Sequence, residues 1–379
     1  MPAIEKEQGE QRIVEARKRL REKGGDALVL SPGNNHYYLS GNPEKQVTPR
    51  HTFFILPVEG EPFMFLSTNN ASNVRESSWI NTFVTWDDSD DPVDRLADAF
   101  EEYDISDEST ILVEDQMWAT FIKDFQEISD FEFELASEVT MPLRRTKDED
   151  ERKTIKEAAS IADEVSEIIR SENLVGMTEN EVAAKIDYLM RKRGAEDTAF
   201  DTVVASGPNS TKPSYTVGQR SIQSGEPVIL DFGAQVDQYL SDQTRTVVFD
   251  GEPPEEFIEA FEVARKAQEA AIDAVEPGVQ AKEVDVVARS VIEDAGYGEN
   301  FLHVTGHGIG LGIHEPPFLM SGDYVDEGNE IELQPGMVMT IEPGIYTEDW
   351  GLRIEDDVAV TQSGCERLSN SSHGWRLLE

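Results

Sequence analysis

Along the first part of the chain the apolar positions change period several times. Ile13, Val14, Ala16 and Leu20 recur at helical spacing and predict a helix over 8–23, closed by Gly24-Gly25. Residues 26–30 predict a short strand, and the turn-rich SPGNNHYYLSGNP follows. In HTFFILPVEGEPFMFLS two β-rich runs flank Glu59-Gly60-Glu61, the pattern of a hairpin. Residues 94–103 predict a helix and 110–114 a strand, so this part alternates as a small α/β domain does. The polar passage PLRRTKDED at 142–150 marks a boundary. The expectation is an α+β chain with domains over 1–143 and 144–379.

Beyond the boundary a long helix runs to about residue 170, and Thr178-Glu179-Asn180-Glu181 is a capping box opening a second, stopped by Gly194. A strand over 200–205 leads into the loop SGPNSTKPSYTVG. Residues 253–275 and 281–295 predict two more helices, the latter closed by Gly296. Between these helical stretches lies VILDFGAQVDQYLSDQTRTVVF, residues 228–249: two β-rich runs about a polar connection at 235–238. Folded about Val236 and Asp237, this hairpin places Asp231 opposite Asp242 with both carboxylates on one face, and Thr244 beside them. Two such carboxylates repel unless a cation or a shared proton lies between them.

Composition narrows the class. A chain of 379 residues with 38% hydrophobic positions can bury two cores. No apolar run approaches the roughly 18 residues that span a membrane, and MPAIEKEQGEQR carries no apolar signal core, so a cytoplasmic protein is expected. The single cysteine, Cys365, excludes an intrachain disulfide and a cysteine zinc site. Against 33 Lys+Arg stand 76 Asp+Glu, a net charge of −43 spread over both halves. That field repels nucleic acid and anionic membranes. The same composition is similar to that of halophile proteins, in which high ionic strength screens the self-repulsion.

Candidate chemistry lies downstream. FLHVTGHGIGLGIHEPP at 301–317 places His303, His307 and His314 among Gly306, Gly308, Gly310 and Gly312. The glycine order is not that of a phosphate cradle between strand and helix. It suits backbone packed tightly beside an imidazole aimed into a crevice, with packed core histidines as the plain alternative. MVMTIEPGIY reads as a strand ending in Glu342-Pro343-Gly344, and a carboxylate in such an otherwise apolar strand is costly without a partner. In WGLRIEDDVAV, Arg353 and Glu355 share a face, and a salt bridge between them would equally account for both. His36 and His51 lack ligand-type company and read as packed or surface residues. Asp231, Asp242, His307, Glu342 and Glu355 together offer four carboxylates and one imidazole, enough for two divalent ions about 3.5–4 Å apart with bridging carboxylates.

D-F-G-A…Y-x-S-D-x-T-R-T, T-G-H-G-I-G-L-x-I-H-E, T-I-E-P-G-I-Y and R-I-E-D-D, in this order over about 147–360, resemble the metallopeptidases of the methionine aminopeptidase, Xaa-Pro dipeptidase and Xaa-Pro aminopeptidase family. The first part, with NNHYYLSGNP, is similar to the amino-terminal domain of creatinase and of the longer, proline-specific members. The resemblance implies a pita-bread catalytic domain of two βαα-type halves, usually in a homodimer, acting on short peptides with proline at the second position. It implies that Asp231 holds one metal, His307 and Glu342 the other, and that Asp242 and Glu355 bridge both, with the bridging water as nucleophile. Glu342 would carry the proton, His314 would stabilise the oxyanion, and His303 and Arg353 would contact substrate. Oxygen ligands with one imidazole suit Mn²⁺ best among Mn²⁺, Fe²⁺, Co²⁺ and Zn²⁺.

Two positions depart from the family pattern. Ser214 stands where a substrate-contacting histidine is usual, and Phe318 where dipeptidases tend to place an arginine for the substrate carboxylate. Both favour an aminopeptidase over a strict dipeptidase. The alternatives on this fold are a hydrolase or lyase of a small nitrogenous or osmolyte-like compound and a non-catalytic peptide-binding module, although such relatives lack the five ligands.

Overall fold

The computed structural model describes residues 4–321 and 330–377. The chain divides into two compact units, Met1–Arg144 and Arg145–Glu379. In the first, a six-stranded mixed sheet has the order Thr82–Trp86, Phe63–Ser67, Phe53–Pro57, Ala27–Leu30, Thr110–Val113, Glu132–Leu135. The FFILP and FMFLS runs pair antiparallel, with Phe53 opposite Phe65 and Ile55 opposite Phe63, as the hairpin about Glu59-Gly60-Glu61 requires. Both strands are buried along their whole length, which is why they read as unbroken apolar runs and not as alternation. The helix Lys6–Glu22 turns Ile13, Ala16 and Leu20 inward.

The first unit also differs from the expectation. Asn34–Ser40 is a short helix where the sequence predicts turns, because Tyr37, Tyr38 and Leu39 are buried and packing, not propensity, fixes the turn. A helix Ser137–Arg144 runs through Pro142, into the passage that the sequence marks as a boundary. His36 is fully buried, its pKa pushed down to about 4 by desolvation. His51 pairs with Asp124, Nε2 to Oδ2 2.8 Å, and its ring meets the edge of Phe121. Both histidines are packing residues.

The second unit has the pita-bread architecture: its two principal antiparallel sheets are each backed by a pair of helices, and a three-stranded sheet at the hairpin tip and the two-stranded pair Gly344–Tyr346 and Gly351–Arg353 accompany them. Glu149–Arg170 and Glu179–Lys192 each open on a capping box, Asp148 with Glu151 and Thr178 with Glu181. Their inner faces, including Ala162, Val165 and Ile186, pack on Val204, Leu230 and Val247 of a sheet formed by Val203–Ser206, Pro227–Phe232 and Gln243–Val248. Glu255–Asp273 and Ala281–Asp294 repeat the arrangement. Phe257, Ala264 and Ala288 pack on Met339 and Val358 of a five-stranded sheet, ordered Glu315–Leu319, Gly306–Gly308, Val338–Ile341, Asp356–Val360, Cys365–Arg367. The two halves are joined by the fully buried pair Arg245–Asp356, Nη2 to Oδ1 2.7 Å, and by the Glu355 amide donating to the Thr244 carbonyl at 3.1 Å.

The central hairpin is present, in a register two residues from the predicted one. Asp231 faces Thr244, and Gln243 faces Phe232. The turn residues are Asp237 and Gln238, both left-handed at φ 43° and 69°, between the paired Val236 and Tyr239. A slip of two preserves the face on which every side chain lies, so Asp231 and Asp242 still enter the same cleft. Gly233 interrupts the ladder there: a Cβ on it would stand 1.8 Å from the Ser241 carbonyl oxygen. Only a glycine permits that approach.

Candidate active site

Between the two sheets lies a cleft of about 510 Å³, and Asp231, Asp242, His307, Glu342 and Glu355 all line it. Asp231 comes from inside Pro227–Phe232, while Asp242 immediately precedes Gln243–Val248. His307 lies in the short strand Gly306–Gly308, where a Cβ on Gly306 would sit 1.9 Å from the Thr340 carbonyl oxygen. The glycines therefore serve strand-to-strand approach, which in turn brings the imidazole to the sheet surface. Glu342 stands just past the end of Val338–Ile341, not within it, and its amide donates to the Thr305 carbonyl at 2.8 Å. Glu355 immediately precedes Asp356–Val360.

One potential ligand atom each from Asp242, His307 and Glu355 lie within 4.8 Å of one another. His307 Nε2 is 3.4 Å from Glu342 Oε1 and 3.8 Å from Asp242 Oδ2. Its other nitrogen, Nδ1, faces the Gly308 carbonyl at 3.1 Å. A carbonyl only accepts, so in the neutral ring Nδ1 carries the proton and Nε2 presents a lone pair to the carboxylates. Thr244 donates to Glu355 Oε2 at 2.6 Å, which orients that carboxylate. The Arg353–Glu355 ion pair open at the sequence level does not form. Arg353 bonds Asp231 through Nη2, Thr244 through Nε at 3.0 Å and Tyr346 through Nη1 at 2.6 Å.

Electrostatically this cluster is short of positive charge. Burial pushes the Asp242 and Glu355 carboxyls well above their ordinary range, reinforced by Glu355 and Asp231 around the first and by Glu342 and Asp231 around the second. Glu342 is raised as well, again chiefly by burial. Desolvation pulls His307 down to about 4 and lowers His303 and His314, so the histidines supply no compensating cations. The buried oxygens Asp231 Oδ1 and Asp242 Oδ1 have no hydrogen-bond donor. Buried carboxylate oxygens without a donor are expensive. A hard, oxygen-rich donor set with one imidazole lone pair fits divalent metal ions.

His303, His314, Arg353 and Ser214 line the same cleft. The His314 ring stands edge-on to His307 with centroids 4.4 Å apart. His303 Nδ1 donates to the Val304 carbonyl at 2.8 Å, leaving Nε2 to accept from the Tyr346 hydroxyl at 3.1 Å. Arg353, Tyr346 and His303 thus form one hydrogen-bonded chain along the cleft wall. Sequence reasoning missed Tyr346, whose only signal is its place at the end of the TIEPGIY motif, and Tyr215, which lines the cleft beside Ser214. Phe318 also lines it.

The model of metallopeptidase family M24 matches residues 153–362, and that of the creatinase/prolidase N-terminal domain matches 12–146. The chain belongs to metallopeptidase family M24. An Xaa-Pro dipeptidase of Pyrococcus furiosus is 35% identical over 95% of this M24 chain and 98% of its own length. Among solved structures, a dipeptidase of Pyrococcus horikoshii superposes with a TM-score of 0.90 at 38% identity, covering 97% of this chain and 99% of its own. An X-Pro aminopeptidase of Thermotoga maritima superposes at 0.82 with 31% identity, over 95% and 100% of the two chains. This M24 chain is a metal-dependent peptidase.

Proposed function

We propose that the enzyme is a dinuclear exopeptidase cleaving the bond before proline in short Xaa-Pro peptides, the activity named for its relatives in Pyrococcus and Thermotoga. The observation that carries this reading is the convergence of Asp231, Asp242, His307, Glu342 and Glu355 on one cleft, with carboxylate oxygens that no donor within the protein satisfies. In this reading Asp231, Asp242, His307, Glu342 and Glu355 would hold the ions, as the family resemblance implies. Bound there, such ions (Mn²⁺ by ligand type ahead of Co²⁺, Fe²⁺ or Zn²⁺) would supply Lewis acidity.

The side chains divide the remaining work. Glu342 accepts the proton lost by the water and delivers it to the leaving nitrogen. That delivery is essential before proline, where the scissile nitrogen is tertiary and carries no hydrogen of its own. His314 donates to the carbonyl oxygen as charge grows on it. His303 and Arg353, fixed through Tyr346, bound the substrate together with Ser214, which follows the Pro213 carbonyl bonded to Arg353. The setting we propose is a cytoplasmic homodimer in a salt-rich cell, supported by the family resemblance and by the net charge of −43.

Ser214 and Phe318 favour peptides longer than two residues, because Phe318 offers no charge to a dipeptide's free carboxylate. The test is a matched screen of Xaa-Pro dipeptides against Xaa-Pro-Xaa tripeptides with Mn²⁺-loaded protein in high salt, with metal analysis of the same sample. Cleavage of both classes with the tripeptides faster is the expected outcome. A loaded protein inert to every one of these peptides would defeat the proposal.

A further inference from the structure

The loop that carries Pro213, Ser214 and Tyr215 into the cleft is held by one buried carboxylate. Glu179, fully buried, is the first residue of the helix Glu179–Lys192. Its Oε1 accepts from the Ser206 amide at 2.8 Å, from the Ser206 hydroxyl at 2.7 Å and from Asn209 Nδ2 at 3.0 Å. Its Oε2 accepts from the Tyr215 hydroxyl at 2.7 Å. Asn209 Nδ2 also donates to that hydroxyl, at 2.7 Å. Backbone bonds hold the loop's far end to the same helix: the Glu179 amide donates to the Arg220 carbonyl at 2.9 Å and the Asn180 amide to the Gly218 carbonyl at 3.0 Å. Burial alone would raise the Glu179 carboxyl, but the donors from Asn209, Ser206 and Tyr215 outweigh it and hold the group below its ordinary range. An anion so completely satisfied fixes the geometry of everything bonded to it.

What is fixed is the Tyr215 ring. It lines the cleft and packs against the Ala205, Ile229 and Tyr346 cluster, while its one polar atom is committed to Glu179. Lys212 Nζ stands over the ring, 5.3 Å from its centroid, and otherwise the ring has only aromatic carbon to offer the cleft. On the same loop the Pro213 carbonyl accepts from Arg353 Nη1 at 3.3 Å, which ties the loop to the guanidinium at the end of the short strand Gly351–Arg353. We propose that Tyr215 is a substrate-binding wall that receives the apolar ring or side chain of the peptide, and that Glu179 is the positioning residue that sets its orientation. This inference rests on the peptidase reading above for its substrate, though not for the anchoring itself.

The test uses Tyr215→Phe, which keeps the ring and removes the hydroxyl bonded to Glu179 and Asn209, with Glu179→Gln and the double variant, all in the full-length metal-loaded protein. Loss of one hydrogen bond to a charged group corresponds to roughly tenfold. Each single variant is therefore expected to raise KM for the best Xaa-Pro peptide about tenfold with kcat little changed. The double variant is expected to be no worse than the stronger single, because both break one linkage. A purely structural role would instead lower thermal stability and leave KM alone. Unchanged KM in Tyr215→Phe, or effects that add in the double variant, would overturn the proposal even if Glu179→Gln fails to fold.

Hydrogen–deuterium exchange of the segment 206–218 reads the anchor without any substrate. Faster exchange in Tyr215→Phe supports it, and unchanged exchange overturns it. Should the wild type cleave no Xaa-Pro peptide, the function falls while the exchange result still decides the anchor.

Discussion

Asp242 is the residue on which the ligand set turns. It is buried, its amide is held by Asp357 Oδ2 at 2.9 Å, and its Oδ1 has no donor. Such a side chain is positioned from behind and left open in front, toward His307 and Glu355. Asp242→Ala is expected to remove one or both ions from the protein as purified, read by elemental analysis, with the fold retained by circular dichroism. Metal content equal to wild type would remove Asp242 from the ligand set. At this scale much of the site was legible before any coordinates. A carboxylate at the end of an apolar strand, or three histidines among glycines, departs from what a packed core tolerates, and the departures coincide with the cleft. Tyr346 and Tyr215 were not legible in the same way. A tyrosine at a strand end or in a loop violates no local rule, and its role exists only through a hydroxyl bonded to a residue at the cleft wall or behind it.

At the scale of elements the sequence is read well where period and capping agree and less well where packing decides. Thr178 and Glu181 cap as their spacing requires, with the Glu181 amide to Thr178 Oγ1 at 3.2 Å and the Thr178 amide to Glu181 Oε2 at 2.8 Å. The helix Asn34–Ser40 has no such signature, since its buried tyrosines form it from outside. The central hairpin falls between these cases. Its face was predictable and its register was not, because Asp237-Gln238 lacks the glycine that marks a two-residue turn most clearly. Gly233 is the local device that lets Asp231 and Asp242 sit on strands so close together. A Cβ there meets a backbone oxygen, which no side-chain rotation relieves. Gly233→Ala is expected to cost about 3 kcal/mol, read as a lower thermal midpoint together with reduced metal content. A midpoint within a degree of wild type would show that the strands part freely.

For the whole molecule, the excess of acid sets the conditions under which the fold persists. With a net charge of −43, self-repulsion opposes compaction at low ionic strength. At molar salt the screening length falls to about 3 Å, shorter than the spacing of most surface charges. The thermal midpoint is therefore expected to rise steadily from low to molar KCl, and a flat profile would remove the halophile reading. The acidic count alone carries this expectation, whereas the assembly of the cleft is not written in the sequence, since no side chain of one half reports its distance from the other.

Asp231 lies in, and Asp242 immediately before, strands of one sheet of the pita-bread unit, while His307 lies in, Glu342 just after and Glu355 just before strands of the other. Any ion gripped from both sides is therefore a rivet through a seam between stretches of chain distant in sequence. Tightening the rivet and closing the seam become a single equilibrium. With the proposed ligand set, each tenfold excess of free ion over its dissociation constant would deepen the native well by about 1.4 kcal/mol, so the supply of metal in its surroundings would govern how long this protein lasts as well as how fast it works.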